Sequence, residues 1–365
     1  MRSSLVVVVV VCAVCAFAAA CGGSGGSGPP TVDATASPDP RQPLQLKTPA
    51  SVPNPLVVVT PYPLASPSSF VVGQDDALLF GIAVGSDGNI WASDYLGSAI
   101  ARVTPGVGVA EFSLPTANAG PTEMTLGPDH NIWFSENTVN AIGRITPTGV
   151  VTEFPLTLPV SSQDSGPRGI VSGPDGNLWF ADTPGNLIAR MSTDGKILTT
   201  YAVPTPNSGT VRMTLGPDNN IWFTESLANK IGQLNITTGN IAEFNVPTAS
   251  SYPSGIATGN DGNLWFTENQ GNKVAQITTA GVIREAEIPY TLTHPTYITS
   301  SADGTLWFSE GAAHSVARVN PSDLTIWEYS LTGTWLRGIT STPDGSIWGA
   351  DSENDAVLQL TAGPL

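Results

Sequence analysis

The chain repeats one pattern of hydrophobic and polar positions at intervals of 41 to 46 residues. In each repeat a short apolar stretch leads into a turn that contains aspartate, and a second apolar stretch with a central tryptophan follows. GPDGNLWFAD at 173–182 is representative. The repeated tryptophans are Trp91, Trp133, Trp179, Trp222, Trp265, Trp307 and Trp348. A period of about 40–45 residues is typical of folds built from stacked repeats.

Each repeat predicts four short strands. In the third repeat the first three are 169–173, 177–181 and 187–191, and the sequence VVTEFPL at 150–156 represents the fourth. The second strand is apolar on both faces, which predicts burial on both sides. Asp175-Gly176 between the first two strands predicts a tight turn in which both residues take positive φ.

Four strands without a helical pattern between them predict one blade of a β-propeller. Seven repeats therefore predict an all-β, seven-bladed β-propeller with four-stranded antiparallel blades. The last repeat ends after its third strand, at 356–360, and lacks a fourth. The sequence VVVTPYPL at 57–64 resembles the fourth strands. We expect this N-terminal strand to complete the last blade and close the ring.

The N-terminus has the pattern of an export signal. Arg2 precedes an apolar run at 5–20, and small residues lead into Cys21, as in the lipobox of bacterial lipoproteins. An ordinary secretory signal cut at the same place is the alternative. We expect a lipoprotein-type signal peptide at 1–20, lipidation of Cys21, a flexible Gly/Ser/Pro-rich tether at 21–55 and the propeller at 56–365. The protein is then exported and membrane-anchored, and it faces the periplasm or the cell exterior.

Charge and cysteine content narrow the partners. The formal net charge of −16 argues against nucleic acid, whose phosphates require a basic surface. It also leaves the N-terminal lipid as the only expected membrane contact. All three cysteines lie within the first 21 residues, so disulfides do not hold the propeller. We expect a monomer that binds a small molecule, a glycan or an envelope protein.

An acid follows each repeated tryptophan by three residues, as Glu225 follows Trp222. Seven carboxylates in one slot suggest either a metal ring or a residue that every blade needs at the end of its strand. We favour the second interpretation, and the residues themselves predict no metal site and no cofactor. No Ser-His-acid spacing, P-loop or dinucleotide motif occurs in the sequence.

Function is expected where the repeat is broken, at the mouth of the central channel. Charged and large residues interrupt the slots at the start of the innermost strands. The candidate ligand-binding residues are Arg168, Arg212, His294, Tyr297, Trp335 and Arg337, and Glu123 shares one of their slots. The cations either hold an anionic or carbonyl-bearing ligand or pair with neighbouring carboxylates and brace the ring.

The repeats GNDGNLWFTENQGNKVAQIT (259–278) and GPDHNIWFSENTVNAIGRITPTGVVTEF (127–154) resemble those of the streptogramin lyases, the family typified by virginiamycin B lyase. The resemblance covers residues 56–365. It implies a seven-bladed propeller that opens streptogramin B depsipeptides by elimination across the ester bond, with Mg²⁺ assistance.

The resemblance also implies catalytic residues that this chain replaces. The expected histidines fall at Thr296 and Arg337, and an expected carboxylate falls at Trp335. Asp351 and Glu123 are the remaining catalytic candidates. Because arginine does not act as a base, we expect a binding module at the channel mouth. The alternatives are a divergent C–O lyase, an ester or lactone hydrolase, or a scaffold in an envelope complex.

Overall fold

The computed structural model describes residues 57–64, 79–158, 166–290 and 292–362. Cys21, the signal peptide and the tether lie outside the described residues, so the predictions about them stay predictions. The described part contains seven four-stranded antiparallel sheets, which are the blades of a propeller. The predicted fold class is confirmed.

The N-terminal strand is β1 (Val57–Pro63). Blade 1 contains β2 (Leu79–Val84), β3 (Ile90–Asp94), β4 (Ala99–Thr104) and β5 (Gly108–Ser113). Blade 2 contains β6 (Pro121–Leu126), β7 (Ile132–Glu136), β8 (Ala141–Ile145) and β9 (Val151–Pro155). Blade 3 contains β10 (Pro167–Ser172), β11 (Leu178–Asp182), β12 (Leu187–Met191) and β13 (Ile197–Ala202). Blade 4 contains β14 (Thr210–Leu215), β15 (Ile221–Glu225), β16 (Lys230–Leu234) and β17 (Ile241–Asn245).

Blade 5 contains β18 (Pro253–Thr258), β19 (Leu264–Glu268), β20 (Lys273–Ile277) and β21 (Ile283–Glu287). Blade 6 contains β22 (Pro295–Ser300), β23 (Leu306–Glu310), β24 (Ser315–Val319) and β25 (Ile326–Ser330), with one 3₁₀ turn at Gly311–Ala313. Blade 7 contains β26 (Leu336–Ser341), β27 (Ile347–Asp351), β28 (Ala356–Ala362) and β1. The first strand of each blade in this order lies innermost, except that β1 is the outermost strand of blade 7.

Ring closure by the N-terminal strand is confirmed residue by residue. β1 pairs antiparallel with β28 over its whole length, from Val57 opposite Ala362 to Pro63 opposite Ala356. Tyr62 of β1 lies 5.5 Å from the ring of Trp348. The tryptophans of blades 1 to 4 and 6 have the same contact with an aromatic residue of their own outer strand, for example Trp133 with Phe154 at 5.3 Å. Tyr62 therefore supplies to blade 7 the residue that its C-terminal end lacks.

The core lies between the blades. Every residue of the second strand of each blade is buried, as the two apolar faces predicted. Trp133 and Ile142 of blade 2, for example, share one hydrophobic cluster with Ile170 and Phe180 of blade 3. A single blade leaves both apolar faces uncovered, so the ring must form as a unit.

The turn between the first two strands corrects one prediction. Positive φ occurs at the glycine slot alone, as at Gly176 (φ 73°), and not at Asp175. Asp175 instead accepts a hydrogen bond from the backbone N–H of Asn177. His130 occupies the glycine slot of blade 2 with φ 65° and is exposed. The aspartate is thus a side-chain acceptor that closes the turn.

The outer-to-inner loops and the turns between the second and third strands lie on one side of the ring, which we call the loop face. Antiparallel pairing sets this arrangement, because Pro167 at the start of β10 lies opposite Asp182 at the end of β11. His294, Trp335, Arg168 and Arg337 lie at this face, at or directly before the start of inner strands, whereas Arg212 and Tyr297 lie one residue further into the channel than Arg168 and Arg337 do in their blades. Among the described residues, no helix is long and apolar enough to cross a membrane.

Candidate functional site

One slot of the inner strands determines what fills the channel. From blade 1 to blade 7 its residues are Gly81, Glu123, Gly169, Arg212, Gly255, Tyr297 and Gly338. A Cβ atom on Gly81 would lie 2.3 Å from the carbonyl oxygen of Thr122, and one on Gly338 would lie 2.3 Å from that of Phe80. Glycine is required at Gly81 and Gly338 because the backbone of the neighbouring inner strand lies too close for a side chain. Three large side chains, from blades 2, 4 and 6, occupy the remaining space.

These three side chains meet across the channel and form what we call the channel triad. The phenol of Tyr297 donates a hydrogen bond of 2.8 Å to Oε1 of Glu123. Nε of Arg212 lies 3.2 Å from the same oxygen. The guanidinium carbon of Arg212 lies 3.6 Å from the centre of the Tyr297 ring, and Nη1 donates to Oγ of Ser254 at 2.7 Å. The triad is therefore a self-paired group that connects alternate blades.

Burial shifts the pKa of two triad members. Burial raises the pKa of the Tyr297 phenol, with Glu123 adding to the shift and Arg212 opposing it, so the phenol keeps its proton. Burial by itself lowers the pKa of Arg212, but Tyr297 and Glu123 raise it above its ordinary value. Arg212 and Glu123 thus form a buried ion pair with the neutral phenol beside it. Arg212 thus pairs with a neighbouring carboxylate, as the second of its two predicted roles requires.

The space around the triad is small, and polar as well as apolar groups line it. It measures about 530 Å³, including the part open to solvent. Besides the triad slot, its lining consists of the isoleucine or methionine that follows this slot in each inner strand. None of the residues at the start of the inner strands, such as Arg168 and Arg337, lines it.

Arg337 and Arg168 stand at the start of inner strands in blades 7 and 3. The guanidinium of Arg337 lies 4.7 Å above the ring of Phe80, which in turn lies 5.2 Å from the ring of Tyr95. Arg168 is exposed and makes no hydrogen bond or ion pair with any residue that the structure describes. Arg168 is thus a cation at the mouth that retains its charge for a partner.

A second slot, directly before the start of the inner strand, gives the mouth an asymmetry. In blades 2, 3 and 4 the slot contains glycine, at Gly120, Gly166 and Gly209. In blades 5, 6 and 7 it contains Tyr252, His294 and Trp335, which we call the aromatic arc. Tyr252 and His294 are half-buried, and Trp335 is 39% exposed. Among the six blades whose slot the structure describes, ring-bearing side chains therefore occupy it in blades 5, 6 and 7 alone.

Two members of the arc have unfavourable backbone conformations. Tyr252 and His294 have φ of 56° and 51°, and Leu292 in the same loop as His294 has φ of 62°. Left-handed backbone costs about 1–2 kcal/mol for a residue other than glycine. Blades 2 and 4 have Gly120 and Gly209 at the same slot, where φ is also positive. Strain of this kind concentrates at ligand sites.

Trp335 is held rigidly although its ring is exposed. Its backbone N–H donates to Oδ1 of Asp351 at 3.0 Å, and its carbonyl oxygen accepts from both the N–H and the hydroxyl of Ser352 at 3.0 Å. A Cβ atom on Gly311 would lie 2.5 Å from Nε1, so the ring packs closely on that glycine. The ring of His314 meets it edge-on at 6.0 Å. Such a ring binds a flat group with little loss of side-chain entropy.

Asp351 does not have the geometry of a free base or of a metal ligand. It is 1% exposed. Oδ1 accepts from the N–H groups of Trp335 and Glu353, and Oδ2 accepts from Nδ2 of Asn354 at 2.7 Å. Trp335, at the other carboxylate position implied by the resemblance, has no side-chain oxygen. These residues do not fit the Mg²⁺ site of the lyases, since Mg²⁺ requires oxygen ligands. The described residues also contain no group of three or more His, Cys, Asp or Glu placed to hold a metal.

The acids after the repeated tryptophans have two different environments. Asp94 and Asp351 accept hydrogen bonds from turn N–H groups, as expected for residues that end a strand. Glu136, Glu225 and Glu268 are fully buried, and burial raises the pKa of each to about 8, with the Glu of the outer strand adding to the shift. Residue type alone did not indicate this burial.

The fold defines a propeller of the streptogramin-lyase type, here with a self-paired channel and aromatic residues at the mouth of blades 5 to 7. A model of the virginiamycin B lyase family matches residues 65–360, and the chain belongs to this family.

Solved structures agree with this assignment. A streptogramin B lyase structure superimposes with a TM-score of 0.76 at 34% identity, over 84% of this chain and 98% of the other. A catalytically inactive His-to-Ala variant of virginiamycin B lyase from Staphylococcus aureus with quinupristin gives a TM-score of 0.75 at 36% identity, over 84% and 100% of the two chains. Hydrazine synthase from Kuenenia stuttgartiensis, at 16% identity and a TM-score of 0.66, shares the fold alone. No curated protein matches the chain.

The structure brings together some of the predicted site residues and separates others. Glu123, Arg212 and Tyr297 meet in the channel, whereas Arg168 lies on blade 3, away from the other predicted residues on blades 6 and 7. The sequence analysis did not single out Tyr252. Reading the slot that contains His294 and Trp335 down all the repeats would have identified it.

Proposed function

We propose that the protein is a binding module for a small amphipathic ligand at the loop-face mouth of the channel. One observation carries the proposal: Arg168, which has no partner among the described residues, lies across the mouth from the aromatic arc. In a ring of seven blades, blade 3 faces blades 6 and 7. A ligand with a flat apolar group on one side and a carbonyl or anionic group on the other fits this arrangement.

The channel triad supports a closed floor beneath such a ligand. Because Arg212 and Glu123 pair with each other at 3.2 Å, they contribute little net charge to the mouth. Arg337 is stacked on Phe80 and is held in place. In this proposal Arg168 makes the specific polar contact with the ligand. Tyr252, His294 and Trp335 stack on its apolar group and determine which shapes fit.

The proposal excludes the family's reaction for a chemical reason. Elimination needs a base that removes the proton α to a carbonyl. The positions that the resemblance assigns to histidine contain Thr296 and Arg337, and neither side chain is such a base at neutral pH. Asp351 is saturated with hydrogen-bond donors.

A divergent C–O lyase, or an ester or lactone hydrolase, is the second candidate. Family membership favours it, together with 36% identity to a lyase variant whose structure contains quinupristin. Glu123 is then the candidate carboxylate in the channel. It accepts from Tyr297 and Arg212, so a reaction would require that pairing to open.

Incubation of the full chain with quinupristin and Mg²⁺ tests both candidates. Liquid chromatography with mass detection distinguishes an isomer of unchanged mass, formed by elimination, from a product heavier by one water. The proposal expects intact quinupristin and saturable binding by calorimetry. It also expects weaker binding by Arg168→Ala and Trp335→Ala, and wild-type binding by Arg284→Ala on the exposed outer strand of blade 5. Either chemical product would replace the binding function with the enzyme.

Absence of binding, or equal binding by the Arg168, Trp335 and Arg284 variants, would overturn the proposed quinupristin site. A glycan or an envelope protein would then be the next class of ligand to test on the same mouth.

The proposal also includes the cellular location. The apolar run before Cys21 supports export and lipid attachment. Metabolic labelling with an alkyne fatty acid should label the wild-type protein and not Cys21→Ser. A label retained by Cys21→Ser, or a protein released without lipid, would favour an ordinary secretory signal.

A further inference from the structure

Four blades place two glutamates close together beneath the loop face. In each, one glutamate ends the second strand and the other lies on the outer strand. The pairs are Glu136 and Glu153, Glu225 and Glu243, Glu268 and Glu285, and Glu310 and Glu328. The first member of every pair is fully buried. A buried pair of carboxyl groups is unfavourable unless a positive charge or a proton compensates it.

Blades 4 and 5 supply the positive charge from a lysine. Nζ of Lys230 lies 2.7 Å from Oε2 of Glu243 and 2.7 Å from Oγ1 of Thr205, and Lys230 is paired in register with Glu225. Lys273 makes the same contacts with Glu285 and Thr248 in blade 5, at 2.9 and 2.8 Å. Each ammonium group thus occupies a seat formed by the outer-strand glutamate and a threonine hydroxyl, and its charge opposes the rise in the pKa of the buried glutamate beside it.

Blade 2 has the same seat without the lysine. Thr116 donates from its N–H and its hydroxyl to Glu153, at 2.9 and 2.6 Å, as Thr205 donates to Glu243 in blade 4. The register partner of Glu136, which corresponds to Lys230, is Ala141. Ser208, which lies near Glu225 in blade 4 and opposes the rise of its pKa, corresponds to Ala119. In blade 2, alanine therefore stands in place of both the hydroxyl group and the ammonium group that lie near the buried glutamate of blade 4.

The carboxylate of Glu136 points into this seat. A Cβ atom on Gly143 would lie 2.8 Å from Oε1 of Glu136, and Gly143 is the register partner of Glu153. Both carboxylate oxygens of Glu136, like those of Glu225 and Glu268, are buried without a hydrogen-bond partner among the described residues, but no lysine stands beside Glu136. In blade 6, by contrast, Ser315 donates to Glu310 at 2.8 Å. The seat is reachable from solvent, because the Lys230 side chain at the equivalent position is 24% exposed.

We propose that blade 2 binds a monovalent cation of ammonium size, K⁺ or NH₄⁺, between Glu136, Glu153 and the hydroxyl oxygen of Thr116. The ion replaces the lysine ammonium of blades 4 and 5. Two carboxylates and one hydroxyl are a sparse set for Ca²⁺, which takes six to eight oxygen ligands. A singly charged ion also matches the charge of the lysine that it replaces.

Thermal unfolding of the full chain in different chloride salts at equal ionic strength tests the proposal. Melting temperatures are compared in KCl, NH₄Cl, NaCl and tetramethylammonium chloride, whose cation is too large for the seat. A cation at ten times its dissociation constant should raise the melting temperature by about 3 °C. K⁺ and NH₄⁺ should differ from tetramethylammonium, and the separate KCl and NH₄Cl arms show which ion binds.

Two matched variants tie the effect to blade 2. Ala141→Lys should raise the melting temperature in tetramethylammonium chloride and abolish the difference between salts. Lys230→Ala should create a second seat and enlarge that difference. A crystal soaked in Rb⁺ or Tl⁺ provides a readout that does not depend on stability, with an anomalous peak expected between Glu136 and Glu153.

Equal melting temperatures in all four salts, or no anomalous peak, would overturn the proposal and assign the neutralising charge to a proton on Glu136. A salt difference that persists unchanged in Ala141→Lys would also overturn it, because the ion would then bind elsewhere.

Discussion

The phenol of Tyr297 on blade 6 donates a hydrogen bond of 2.8 Å to Glu123 on blade 2, across 174 residues of sequence. Arg212 on blade 4 contacts both side chains. Three blades that share no sheet are therefore joined at the centre of the ring. The contact lies at the slot that contains glycine in the other four inner strands. The three side chains fill the centre of the channel, which the glycines leave open.

Removal of the phenol oxygen should weaken this connection measurably. Tyr297→Phe keeps the ring under Arg212 and removes one hydrogen bond to a charged acceptor, so the free energy of unfolding should fall by about 1.5–3 kcal/mol. Arg212→Met leaves Glu123 buried without its cation and should cost more, about 3–5 kcal/mol. Urea unfolding measures both changes, with the exposed Arg284→Met as the control. Comparable stability of all three variants would show that the triad does not brace the ring.

Two of the repeated tryptophans differ in one hydrogen bond, and comparing them measures what that bond contributes to stability. Nε1 of Trp222 donates to Asp218 at 3.0 Å, whereas Nε1 of Trp348 is buried without a partner among the described residues. Both rings are at most 1% exposed. Trp222→Phe should therefore destabilise the protein by about 1 kcal/mol more than Trp348→Phe does, since the loss of apolar contact is similar. Chemical unfolding of the two variants measures the difference, and an equal loss at both positions would contradict this account.

Stability should fall as the pH rises from 5 to 8. Burial raises the pKa of Glu268 to about 8 from an ordinary value of 4.5, and Glu285 adds to the shift. A group whose pKa is higher in the folded state contributes stability that is fully present below its unfolded pKa. That contribution is lost as the pH rises towards the folded pKa. The same sign holds for Glu225, with a pKa of about 8, and for Glu310, with a pKa of about 7.

Glu268→Gln tests the pH argument because the amide does not ionise. Its melting temperature should fall less between pH 5 and pH 8 than that of the wild type. Glu287→Gln, on the exposed edge of the same blade, serves as the control and should follow the wild-type curve. Parallel curves for the wild type and Glu268→Gln would show that Glu268 ionises in the folded protein as it does in water.

The repeats made the fold predictable, because seven copies of one pattern report the same environment seven times. Even the ring closure was visible, since residues 57–64 resemble a fourth strand, and the contact between Tyr62 and Trp348 confirms it. The residues of the channel slot were also found from sequence. The sequence did not predict that Glu123, Arg212 and Tyr297 contact one another, because their contact depends on the radius of the closed ring.

Two further features lay beyond the sequence analysis for other reasons. The repeated acids were interpreted as strand-end residues, and only the structure shows that Glu136 is buried without a partner in the described part of the chain while Asp351 closes a turn. The aromatic arc was only partly recognised because Tyr252 is unremarkable beside its sequence neighbours. It becomes significant when compared with Gly120, Gly166 and Gly209 in the same slot.

Trp335 should affect binding without affecting the fold. Its ring is 39% exposed, and its backbone contacts with Asp351 and Ser352 do not depend on the side chain. Trp335→Ala should therefore change the free energy of unfolding by less than about 1 kcal/mol, within the usual range for surface substitutions. Quinupristin binding, measured by calorimetry, should weaken by about tenfold, the effect of one lost stacking contact of about 1.4 kcal/mol. Trp335→Phe should recover part of the affinity, because a ring still packs on Gly311. A large loss of stability in Trp335→Ala, with unchanged affinity, would mean that the ring supports the loop rather than the ligand.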